Sequence, residues 1–214
     1  MMTPGTPEDL IVLAADGSIK AVFEAVLNRH HSLGIREISY RVILQPDHDP
    51  GVLQSGHKLL QAQSKNYRHG LTVCDRHGCG KEFRPREELE ASIEKHLSNH
   101  WGDRAAAIVI DPELEIWVWT DSPHVAEVIG WPSGMPALQH WLRSEGFLAE
   151  GQVKPNDPKT ALQKAVRLRK KRQSSSLFRI LASKVSLKNC IDPAFLKLRA
   201  TLTRWFPDAA PSAD

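Results

Sequence analysis

The sequence predicts an α/β domain with a largely parallel sheet flanked by helices, followed by a helical, basic C-terminal region. Short apolar runs alternate with amphipathic helical stretches through the first half of the chain. Asp16, Asp75 and Asp111 each stand just past such a run, at the strand end where ligands of parallel sheets sit. The charge then changes sign: residues 1 to 150 hold 14 Lys/Arg against 21 Asp/Glu, whereas residues 151 to 207 hold 14 against two.

Leu10 to Ala15 is a continuous apolar run, the pattern of a strand buried on both faces. Asp16-Gly17-Ser18 breaks it, and Ile19, Val22, Phe23, Val26 and Leu27 then fall on one helical face. Ile38 to Leu44 reads as a second strand and P-D-H-D-P-G as a loop. A helix over Val52 to Ser64 follows, with Gly56 its weak point. Leu71 to Cys74 is a third strand, Arg86 to Asn99 a helix with Leu89, Ile93 and Leu97 on one face, and Ala106 to Ile110 a fourth strand. Beyond residue 120, Ser122-Pro123, Asp157-Pro158 and Asp192-Pro193 each set a capping residue before a proline at the first helical position. Met135-Pro136 opens another helix, and residues 151 to 158 read as a linker.

An apolar content of 41% in 214 residues is enough to bury a core. No apolar run approaches the ~18 residues of a membrane span, so membrane function is not expected. The N-terminus lacks the order of a signal peptide, and three cysteines, an odd number, favour a reducing cytosol over a disulfide framework. A cytoplasmic location is the expectation.

The stretch I-D-P-E-L-E-I-W-V-W-T-D (110 to 121) carries the most chemistry. Asp111-Pro112 belongs to the series of cap-plus-proline starts, which makes Asp111 an N-cap and puts Glu113 and Glu115 in a first helical turn. A strand through Ile116 to Trp119 is the alternative. With Leu114, Trp117 and Val118 facing the core, the two glutamates flank that face and can converge with Asp16 and Asp75. Magnesium needs one or two carboxylates plus water in near-octahedral geometry, which such a set supplies. Cys74, His77 and Cys79 lack the paired spacing of a structural zinc site, and the phosphate-loop pattern is absent. Arg167, Arg169, Lys170, Lys171 and Arg172 cluster within six positions, with Arg179 and Lys184 following. Such an excess predicts phosphate contacts, DNA or RNA, although an acidic protein surface would select the same composition.

Taken together, a strand ending in an acid, a middle strand ending in an aspartate and the segment P-E-L-E-I-W-V-W-T-D resemble Toprim-like proteins of bacterial defence loci. Glu113, Glu115 and Asp121 match the acids of that family's later segment in spacing. The combination of I-D-P-E-L-E-x-W-V-W with D-P-A-F-L-K-L-R-A-T-L is similar to small components of methylation-associated defence systems. The resemblance, over most of residues 10 to 206, implies a Toprim-like domain over residues 8–121 followed by a helical basic region over 122–207; a disordered tail over 208–214 is expected beyond it. It further implies an anti-phage role beside other subunits of a defence complex, with Mg2+ or Mn2+ held by Asp16, Asp75, Glu113 and Glu115 for phosphodiester hydrolysis. Two positions depart from the family. Asp16 replaces a glutamate that does acid/base work, and His77 stands where the second acid of a D-x-D pair belongs. A catalytically degenerate accessory subunit or sensor is therefore the second reading.

Overall fold

The computed structural model describes residues 6–188 and 190–208. Four strands, β1 (Glu8–Ala14), β2 (Tyr40–Leu44), β3 (Tyr67–Asp75) and β4 (Ala105–Ile110), form one sheet in the order β2-β1-β3-β4. Every pair is parallel. The helices in chain order are α1 (Gly17–Leu27), α2 (His30–Leu33), α3 (His48–Gln61), α4 (Arg86–Trp101), α5 (Glu115–Val118), α6 (Pro123–Ile129), α7 (Gly134–Ser144), α8 (Pro158–Leu168), α9 (Ser175–Lys184) and α10 (Pro193–Trp205). The predicted α/β class with a parallel sheet is thus the observed one.

The continuous apolar character of β1 follows from its place inside the sheet: Ile11 to Ala14 are fully buried, with β2 on one side and β3 on the other. Helix α1 packs on β1 and β2, while α3 packs on β1 and β3 and against α4, the two-faced arrangement that right-handed crossovers produce in this strand order. Gly56 is a point of close approach. A Cβ there would stand 3.0 Å from Leu13 Cδ2, so the missing side chain lets α3 settle on β1. The stretch P-D-H-D-P-G, expected as a loop, instead opens α3. His48 takes a left-handed φ of 54° and Asp49 falls in the first turn. The strand alternative for Ile116 to Trp119 is also corrected, since Glu115–Val118 is helical.

Strand β4 lies at the sheet edge, where unpaired N–H groups invite unwanted pairing. Here the Ala107 and Val109 amides donate to Glu94 and Glu90 of α4, each at 3.0 Å. Arg86 and Lys197 in turn bind these carboxylates, so α4 and α10 close over the edge.

The C-terminal helices complete the same apolar core. Helix α9 runs parallel to α1, with Ser175 beside Ser18 at one end and Arg29 donating to the Ala182 and Val185 carbonyls at the other. Ser122, Asp157 and Asp192 cap α6, α8 and α10 as the cap-plus-proline pattern predicts. No helix of the described residues is long and apolar enough to cross a membrane. From residue 209 on, the tail expected to be disordered lies outside the described residues.

Candidate metal centre

The chain leaves β1 towards β2 and leaves β3 towards β4, on the opposite side. That reversal opens a crevice at the carboxyl ends of β1 and β3, the usual ligand site of such a sheet. Ala14 is paired with Val73, so two residues further on Asp16 and Asp75 emerge side by side. Asp16 turns to cap α1, its Oδ1 accepting from the amides of Ser18 (2.7 Å) and Ile19 (2.8 Å). The Asp75 amide donates to Asp49 Oδ1 at 2.8 Å, while Asp75 Oδ1 is buried without a hydrogen-bond partner among the described residues.

The exits of β3 and β4 are tied together. The Arg76 amide donates to the Ile110 carbonyl (2.8 Å) and the His77 amide to that of Pro112 (3.0 Å). Arg76 Nε lies 2.8 Å from Asp111 Oδ1. Asp111 is therefore not the N-cap that its proline predicts. Leu114 holds the N-cap place of α5 without a side-chain bond, and Asp111 anchors the turn to Arg76 instead. This turn carries Glu113 and Glu115 back over Asp75.

Asp75, Glu113 and Glu115 offer carboxylate oxygens within 4.8 Å of one another, a group that could hold a metal ion. Only Glu115 falls in the first turn of α5, whereas Glu113, expected there too, precedes the N-cap Leu114; the two are 5% and 4% exposed, unusually buried for carboxylates. Glu113 Oε2 accepts from Lys159 Nζ at 2.6 Å and Glu115 Oε1 from Gln173 Nε2 at 2.7 Å. Burial, reinforced by the charges of Asp49 and Glu115, holds the Asp75 carboxyl well above the usual carboxylate range. Burial likewise raises Asp49 and Glu115. A buried acid cluster of this kind binds protons or a cation more readily than exposed acids do.

The group borders an open cavity of about 600 Å³. Asp16, Asp49, Asp75 and Glu113 form its acidic side, with His77 also on the wall, and Asn156 to Thr160 at the start of α8 line the rest. Asp16 thus shares the cavity but stands outside the three-carboxylate group. Asp121 lies elsewhere, exposed beside a second cavity of about 510 Å³ next to Trp119 and Cys190. Cys74 is buried in β3, and among the described residues no metal-holding group forms from Cys74, His77 and Cys79.

Three participants escape a reading of the sequence. Asp49 is hidden in what reads as a turn, although Asp49-Pro50 repeats the dipeptide that starts α8 and α10. Lys159 and Gln173 come from 46 and 58 residues away from their partners, and no local pattern marks them.

The basic positions divide. Arg169 Nε donates to the Gly130 carbonyl (2.9 Å) and Lys171 Nζ to that of Val128 (2.7 Å), which satisfies the C-terminal end of α6. Arg179 pairs with Glu24 and Lys184 with Glu127. Arg167, Lys170 and Arg172 are exposed, with no ion-pair partner among the described residues. Arg167 and Lys170 line a cavity of about 430 Å³ together with Trp141. Compared with protein-family models, curated proteins and solved structures, the chain gives no match.

Proposed function

We propose that the protein is a Toprim-like, metal-dependent nucleic-acid-processing component of bacterial anti-phage defence, acting by phosphodiester hydrolysis in the cytoplasm beside other subunits of a defence complex. The observation that carries this reading is the convergence of Asp75, Glu113 and Glu115 at the switch point of a parallel sheet, where Asp75 and Glu113 line an open cavity. The donor set fits a hard divalent ion. All three ligands are carboxylates, the buried Asp75 Oδ1 lacks a partner, and the cavity leaves room for the waters that Mg2+ or Mn2+ retains. When bound, such an ion polarises a phosphoryl oxygen and acidifies its water. In that arrangement Asp75, Glu113 and Glu115 hold the ion, and Asp49 fixes the Asp75 backbone. Asp16 makes the α1 cap through Oδ1 alone and lines the same cavity.

Calorimetric titration of MnCl2 and MgCl2 tests the assignment. One ion binds the wild-type protein, and Glu115→Gln lowers the affinity by roughly 10–100-fold, the cost of losing a ligand or its orienting partner. No heat at millimolar metal would leave the accessory subunit or sensor as the better reading. That second reading draws on a specific observation: Glu113, Glu115 and Asp16 each already have protein partners.

For the nucleic acid, Arg167 and Lys170 beside Trp141 combine cations with an aromatic ring, the arrangement that suits a flexible single strand. Exchanging both for glutamine is expected to weaken oligonucleotide binding about tenfold near 0.1 M salt and to lower the salt slope by roughly 1.4. Arg169→Gln with Lys171→Gln chiefly lowers the melting temperature, because those two groups serve α6. Fluorescence anisotropy over a salt series and thermal melts separate the two pairs.

A further inference from the structure

The carboxylate cluster already contains a cation. Lys159 Nζ stands 2.6 Å from Glu113 Oε2, and among the described residues it is the one cationic group within ion-pair distance of Asp75, Glu113 or Glu115. We infer that Lys159 is a resident counter-cation that holds Glu113 in the metal-free protein and competes with the divalent ion for it. This rests on the metal-site reading above and names a regulator of that site.

Charge is the first argument. Asp75 Oδ1 is buried and unpartnered, with Asp49, Glu113 and Glu115 around it. Carboxylates this close are costly to hold together unless a cation compensates them. The ammonium supplies that compensation when no metal is bound, and the two cations then oppose each other's binding.

Geometry is the second. Ligands at 2.0–2.1 Å from Mg2+ sit about 3 Å apart at neighbouring octahedral corners. The three carboxylates lie within 4.8 Å of one another, a wider envelope, and both glutamates are engaged by the C-terminal region, one by Lys159 and one by Gln173. Drawing Glu113 Oε2 into the shell of an ion means taking it from the lysine.

The third argument is delivery. Lys159 is the second residue of α8, whose start is fixed by the Asp157 cap on the Thr160 amide and by fully buried Trp119, which donates to the Pro158 carbonyl at 2.9 Å. The backbone therefore brings the lysine to a set place. Its side chain is 49% exposed and borders the cavity, so it can retreat into solvent when the ion arrives.

The test is calorimetry of MnCl2 into the full chain, comparing wild type with Lys159→Gln and Lys159→Met. Both variants are expected to bind Mn2+ about tenfold more tightly than wild type, a coupling of ordinary size between two competing ligands. In chelator, the same variants are expected to melt below wild type and to gain more from added Mn2+ than wild type does. Equal or weaker Mn2+ binding by variants that still fold overturns the inference while the metal site stands. Should either variant fail to fold in chelator, refolding on addition of Mn2+ supports the inference and no refolding overturns it. Absence of Mn2+ binding by wild type and variants alike overturns the metal-site reading itself.

Discussion

Replacing Asp75 by asparagine is expected to raise the melting temperature of the metal-free protein and to remove its affinity for Mn2+. The buried Oδ1 has no partner, and burial together with Asp49 and Glu115 disfavours its charge. Asparagine keeps the shape and leaves the backbone bond to Asp49 in place, since that bond uses the main-chain amide. Removing a buried carboxylate whose charge its surroundings disfavour is expected to gain on the order of 1–3 kcal/mol, worth about 2–4 °C for each kcal/mol in a chain of this size. The pH dependence follows from the same groups. Asp75, Asp49 and Glu115 all have raised folded values, so each binds its proton more tightly in the folded state. The stabilisation this provides is fully present below the ordinary carboxylate range near pH 4 and is lost as pH rises through the elevated folded values. Metal-free wild type should therefore lose stability towards neutral pH, and Asp75→Asn should flatten that decline. Saturating Mn2+ is expected to oppose the decline, because a metal ion binds carboxylates in their deprotonated form. Urea unfolding in chelator from about pH 4.5 to 8 measures the slope. An unchanged slope with an unchanged Mn2+ heat would remove Asp75 from the site.

The apolar periodicities place the four strands and the helices between them, because a parallel sheet buried on both faces leaves its strands no polar alternation. The three true cap-plus-proline starts are equally legible, since an N-cap bond is made within three residues. Asp111 shows where that logic stops. Locally it matches Asp157 and Asp192, and what diverts it is Arg76, 35 residues away. Glu113 and Glu115 satisfy a first-turn rule on paper, yet their burial comes from the turn that folds them over Asp75. The basic segment is misleading for another reason. Sequence counts charges, whereas folding decides where donors point, and Arg169 and Lys171 point at the carbonyls that end α6. What remains for an external anion is Arg167, Lys170 and Arg172, a smaller surface than the composition suggests.

The Asp192→Ala exchange is expected to cost the fold about 2–4 kcal/mol, combining a lost helix cap with a buried donor left unpaired. One oxygen, Asp192 Oδ1, accepts from the amides of Ala194 and Phe195 at 3.1 Å each and from Trp117 Nε1 at 2.8 Å. It therefore starts α10 and anchors α5 at once. Trp117 is wedged between Phe23 of α1 and Phe195 of α10, with ring centroids 5.9 and 5.4 Å away. Alanine at 192 leaves its indole N–H buried and unsatisfied, whereas Trp117→Phe removes the donor and most of that penalty. A double-mutant cycle in urea should return a coupling of roughly 1–2 kcal/mol; additivity would mean that the bond contributes nothing beyond the cap. The consequence reaches the candidate metal centre through the chain itself. Trp117 stands two residues after Glu115 in a four-residue helix that has no side-chain cap of its own. With Trp117 loosened, α5 no longer fixes Glu115 against Asp75, and Mn2+ affinity is expected to fall several-fold although Asp192 belongs to no part of the carboxylate group. Wild-type Mn2+ affinity in a folded Asp192→Ala protein would show that the turn at Asp111, tied to Arg76, positions the glutamates without help from α10.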